Sequence, residues 1–145
     1  MRWHRIPQDE EPEALLSLGI RLHGHLGPFM VAGLRMGRLA LRLLGHPGYH
    51  GIQAVVETGT TPPISCMIDG IQMATGCTTG KGNLVVRDGG EPRATFVAGG
   101  KTLRVQLKPQ LVEEFRTTEE PEELARRVLR LPEEELFTWE LSPLS

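Results

Sequence analysis

Two histidines flank a single glycine at His23-Gly24-His25, and the chain's only cysteines stand at Cys66 and Cys77. Imidazole is the commonest neutral metal ligand, and a thiolate is both a ligand and a nucleophile. On a helix, side chains two residues apart point about 200° apart. On an extended or helix-ending segment they can point the same way. Gly24 permits such a backbone. The pair therefore reads as two ligands for one divalent transition metal. The bland alternative is two partly buried histidines bonded to backbone carbonyls. The His-x-His pattern alone does not separate these readings.

Cys66 falls near the start of an apolar helix expected over Ile64 to Thr75. A helix N-terminus stabilises a thiolate. Asp69 and Met73, three and seven residues on, share the face of Cys66. Gln72 lies on the adjoining side. The alternative is a small buried cysteine acting as a hydrophobe. Cys77 follows the helix stop at Gly76, in Gly76-Cys77-Thr78-Thr79-Gly80-Lys81-Gly82-Asn83. This is not a phosphate loop: three residues, not four, separate Gly76 from Gly80, and Gly82 follows Lys81 where Ser or Thr is needed. A nest of backbone amides with Lys81 could hold an anion. A plain tight turn is the preferred reading. Cys66 and Cys77 lack the Cys-x-x-Cys spacing of a redox pair.

The rest of the composition limits the partners. The chain has 145 residues, with 39% hydrophobic and 23% charged, an ordinary globular mix for one domain, residues 1–145. Sixteen basic against eighteen acidic residues give 16 − 18 = −2. That balance offers no footprint for nucleic acid and no polybasic membrane contact. Val31 to Leu44, the longest nearly apolar stretch, carries Arg every few residues, and falls short of the roughly 20 apolar residues a span needs. The opening MRWHRIPQDEEPE has no apolar signal core, so the expected location is the cytoplasm. Two thiols in a reducing compartment read as metal or redox chemistry before a disulfide.

These residues need elements to position them. A first helix is expected from Glu11–Pro12 to a break near Gly24, with Leu15, Leu16, Leu18 and Leu22 apolar. Pro28 restarts a helix to about Leu44. Gly33 and Gly37 put two bare spots on one of its faces, a mark of close packing. Gly45 and His46-Pro47-Gly48 stop it. Residues 52–57 read as a strand, 64–75 as the Cys66 helix, and 84–87, 93–98 and 101–107 as three strands divided by glycine turns. Proline-opened helices follow over 109–115 and 121–131. The order is ααβαβββαα, and the fold class is α+β, with helices on one side of a small mixed or antiparallel sheet. Glu119 to Glu135 reads as a solvated helical face. Phe137 and Trp139 fold back on the core or onto a second subunit, and the sequence leaves that choice open.

Two blocks carry a family resemblance. His23-Gly24-His25-Leu26-Gly27-Pro28 with the glycine-bearing helix after it is similar to the opening motif of the FmdE family, the E-type subunits of formylmethanofuran dehydrogenase. Cys66-Met67-Ile68-Asp69-Gly70-Ile71-Gln72, running into Thr75 to Leu84, resembles its second motif. With the strands after them they cover about residues 12–108. The resemblance implies an α+β domain like the C-terminal domain of glyceraldehyde-phosphate dehydrogenase. It also implies a metal centre, frequent homodimers and a partner enzyme subunit. Carried over by position, His23, His25 and Cys66 become ligands, with Cys77, Asp69 and Lys81 around them. Cys77 is the further ligand candidate. Cys66, Asp69 and Lys81 are the candidates for chemistry.

Two departures stand out. Gly27 occupies a position where many members carry Cys, and no cysteine follows Cys77, so the family's cysteine-rich C-terminal zinc extension has no counterpart here. The implied metal is zinc first, with nickel or iron behind it. The implied role is an accessory protein or small metalloenzyme of one-carbon or molybdenum/tungsten-enzyme metabolism, with Asp69 or Lys81 to move protons. The competing role is a non-enzymatic metal-carrying or assembly module.

Overall fold

The computed structural model describes residues 2–144. Helix α1 spans Pro12–His23 and ends on Gly24, which takes the left-handed conformation at φ 97°. Helix α2 spans Pro28–Leu44, begins directly on proline and ends on left-handed Gly45. Strand β1 is Ile52–Val56. A short 3-10 turn, Ile64–Cys66, leads into α3, Met67–Thr75. Strands β2 (Leu84–Val86), β3 (Arg93–Ala98) and β4 (Lys101–Leu107) follow. Helices α4 (Pro109–Thr117), α5 (Pro121–Arg130) and α6 (Glu133–Leu136) precede a last strand, β5, Phe137–Pro143.

The sheet runs β2-β1-β3-β4-β5. Only β1 and β2 are parallel, as a crossover through α3 requires; the other pairings are antiparallel. The fold is therefore α+β on a mixed sheet. Alternation sets its two faces. Ala54, Phe96, Leu103 and Leu107 are buried under the helices, while Gln53, Arg93 and Arg104 on the other face are exposed.

The core is built around α2, whose Met30, Val31, Leu34, Met36 and Leu39 are fully buried. Helix α3 lies directly against it. A Cβ at Gly33 would overlap the Met67 carbonyl, and one at Gly70 would overlap the Met30 carbonyl. One turn on, Gly37 faces Ala74 and Thr75. The bare spots of α2 are thus the contact with α3, which fixes Cys66 and Asp69 relative to α1 and α2.

The end of the chain resolves the open choice at Phe137. It folds back: Phe137 pairs with Leu107 in the sheet and is buried. Helix α6 and strand β5 extend the expected order by two elements. Among the described residues, no helix is long and apolar enough to cross a membrane.

Candidate metal centre

His23 is the last residue of α1, and left-handed Gly24 turns the chain so that His25 comes back beside it. Their ring centroids lie 4.7 Å apart with 42° between the planes. A continued helix would have driven them apart. The turn therefore does what the His-x-His spacing required.

Cys66 sits at the N-cap of α3, and Asp69 lies in the first turn. One helix start thus presents a thiol and a carboxylate on one side. Asp69 Oδ2 is 2.6 Å from His23 Nδ1. An ionised carboxylate only accepts, so Nδ1 carries the proton and donates it to Asp69. In the neutral ring that leaves the lone pair on Nε2. The Nε2 atom is buried and has no hydrogen-bond partner among the described residues. Leaving such an atom unpaired costs about 1–3 kcal/mol, so its lone pair is available to a ligand.

The ligand atoms of His23, His25 and Cys66 all lie within 4.8 Å of one another. A tetrahedral ion with bonds of about 2.0–2.3 Å wants its ligands about 3.5 Å apart. The widest pair must close somewhat on binding. His25 is exposed and stands beyond the helix end, so it can move. Two imidazoles and a thiolate suit a borderline-soft divalent ion. The donor set fits a metal.

Burial, and then the charge of Asp69, push the Cys66 thiol above its ordinary pKa. The N-terminal helix position alone suggested the opposite. A metal would reverse this by holding the thiolate directly.

Cys77 and Lys81 are not brought into this group. Cys77 is fully buried beneath β1, with Sγ 3.8 Å from the Ile52 carbonyl oxygen. Its backbone N–H donates to Thr75 Oγ1, and burial raises its thiol pKa. Lys81 Nζ donates to the Gly76 carbonyl and to Thr78 Oγ1. Both residues organise the loop after α3. Asn83 completes it, accepting from Thr78 N–H and donating to the Tyr49 carbonyl.

A broad concavity lies elsewhere, on the open sheet face. It holds about 780 Å³ and is lined by residues including Arg87, Arg93 and Arg104. None of the cluster's ligands lines it, and Arg93 there is already paired with Glu57.

Known proteins share this sequence and this fold. A family model described as FmdE, molybdenum formylmethanofuran dehydrogenase operon, matches residues 22–138. The chain belongs to this FmdE family. The match includes all three residues of the cluster and runs into β5. A protein of Archaeoglobus fulgidus named a probable S-adenosyl-L-methionine-binding protein is 32% identical over 124 residues, covering 80% of this chain and 32% of that protein. The chain thus spans about a third of that relative's length. The crystal structure of a tungsten formylmethanofuran dehydrogenase FmdE-like protein from Syntrophus aciditrophicus superposes with a TM-score of 0.63 at 21% identity. It covers 100% of this chain and 78% of that one, so the FmdE-like fold is shared throughout.

Proposed function

We propose that this FmdE-family chain binds a divalent transition metal, zinc first, through His23 Nε2, His25 and Cys66 Sγ. The observation that carries the reading is the buried, unpartnered Nε2 of His23, opposite an Nδ1 already engaged by Asp69. A carboxylate bonded to the far nitrogen of a ligating histidine fixes its tautomer and raises its basicity. Bound there, a metal would supply Lewis acidity. Asp69 would hold His23 in the ligating form, and its Oδ1, without a protein hydrogen bond among the described residues, can accept a proton from a substrate. Cys77 and Lys81 would shape the adjoining loop.

The role we assign is an accessory protein or small metalloenzyme of one-carbon or molybdenum/tungsten-enzyme metabolism. The operon in the family's description supports it. We place it in the cytoplasm, as a homodimer or beside a partner enzyme subunit. X-ray absorption at the edge of the bound metal tests the site. A coordination sphere with nitrogen and one sulfur is expected; a sphere of light atoms alone would remove Cys66 and with it the assignment.

A second reading is a metal-carrying or assembly module. Leu18 and Leu22, one turn apart on α1, are 46% and 49% exposed just before the histidine pair, an apolar surface suited to a protein partner. Rapid release of the metal to an apo-enzyme, with no turnover of any small molecule, would favour it.

A further inference from the structure

The face of the sheet turned away from the helices carries its own set of charges. Strand register places its outward residues in rows. One row runs Val55, Thr95, Arg104 and Glu140 across β1, β3, β4 and β5. The next holds Arg93, Gln106 and Thr138, with Glu57 beside Arg93. Arg87 follows β2, and its backbone N–H donates to the Val56 carbonyl. It therefore lies on the far side of Glu57 from Arg93. These residues line the concavity of about 780 Å³, a size that suits a small molecule.

The charges there are only partly matched. Arg93 is engaged by Glu57 through two hydrogen bonds. Arg87 and Arg104 have no ion-pair partner among the described residues, although Glu140 stands opposite Arg104 in the sheet. Three arginines against Glu57 and Glu140 give 3 − 2 = +1, in a chain whose net charge is −2. Arg87 and Arg104 stand three strand spacings apart, about 14 Å at the backbone. Between them lies the Glu57–Arg93 pair, neutral as a unit. The face is thus positive at two ends and uncharged in the middle. The groove between α2 and the end of α5 differs: its Arg35, Arg38, Arg42 and Arg130 already bind carbonyls or carboxylates. A second copy of the chain fits the sheet face less well. The two rows present one valine and no larger apolar side chain, whereas the centre of an interface between copies is apolar and poor in charge.

We propose that the open sheet face is a second binding site, for an elongated small molecule with an anionic group at each end and an uncharged middle. One end would sit on Arg87 and the other on Arg104, with half-buried Thr95 and Gln106 bonding the part between. Carboxylates and phosphates both match the guanidinium fork, so either chemistry satisfies the ends. Glu140 weakens the Arg104 end without occupying it. His23, His25 and Cys66 do not line this face, so the site stands whether or not a metal binds.

The test is calorimetric titration of the full chain, stripped of metal and dialysed, with two pairs of probes. Sebacate is set against decanoate, and fructose 1,6-bisphosphate against fructose 6-phosphate. At least one two-ended probe should bind about 10-fold tighter than its one-ended counterpart, since its second contact is intramolecular. The pair that shows the preference identifies carboxylate or phosphate ends. Added salt should weaken it. Arg87→Gln and Arg104→Gln should each erase the preference, and Glu140→Gln should tighten binding. A native chain that prefers neither two-ended probe would overturn the site. So would a preference that survives in both arginine variants. Sedimentation supplies the remaining outcome: a native dimer that Arg104→Gln converts to monomer, with no probe bound, would give the face to a second copy and overturn the proposal.

Discussion

At the scale of single residues, the residue types named the candidate ligands, and the fold brings three of them together. His23, His25 and Cys66 were legible because few other residues suit a soft divalent ion. The Asp69–His23 bond was not legible, since 46 residues separate the partners and the packing of α3 beside α1 brings them together. Asp69→Asn should keep the fold and lower metal affinity about 10–100-fold, as loss of an orienting carboxylate does at other centres. Competition against a chromogenic chelator checks this, and unchanged affinity would make the 2.6 Å contact incidental. The cysteines should also part company. Cys66 is half-buried and Cys77 is sealed. In the metal-free protein, iodoacetamide should label Cys66 first, metal should protect it, and Cys77 should react only on unfolding. Mass spectrometry reads both sites. Equal labelling of the two in the folded chain would contradict the placement of Cys77.

At the scale of elements, glycine and proline wrote most of the boundaries. Proline opens α1, α2, α4 and α5, and glycine ends α1, α2 and α3. The spacing of Gly33 and Gly37 announced a close contact but not its partner. The partner is α3, whose own Gly70 faces α2 in return. Gly33→Ala should therefore destabilise by about 1–3 kcal/mol or more, as overpacking does. Since the new methyl would meet backbone, no flexible side chain can yield. Gly80→Ala should stay within about 0.5 kcal/mol, because nothing lies within 4 Å of its Cβ position and its φ is not positive. Urea melts of the two variants read the contrast. Similar losses in both would deny that the α2–α3 contact is backbone-tight. What the elements did not announce is β5. Phe137 to Pro143 follows an acidic run, and its pairing with β4 is a long-range fact without a local signal.

At the scale of the whole molecule, β5 ties the end of the chain into the sheet, and α2 anchors the C-terminal helices. Arg35 on α2 donates to the carbonyls of Val128 and Leu129 at the end of α5. Phe137→Ala should cost about 3–5 kcal/mol, the usual loss for a buried phenylalanine. A change under a third of that would show that β5 is peripheral. The open sheet face contributes less. There Arg93, hydrogen-bonded to Glu57, holds the Glu57 carboxyl below its usual range. A carboxylate with a lowered pKa in the fold stabilises above its unfolded pKa, and that contribution fades as pH falls through the folded value. Glu57→Gln should thus lower Tm slightly at neutral pH, and the difference should disappear on acidification. The elements around the site together bring the ligand atoms of His23, His25 and Cys66 within 4.8 Å of one another. Elemental analysis of the untagged protein, beside His23→Ala and Cys66→Ala, tests that convergence most directly. About one transition metal per chain is expected, lost in both variants while their circular dichroism stays native. A native chain that holds no metal, even after dialysis against zinc or nickel, would contradict it.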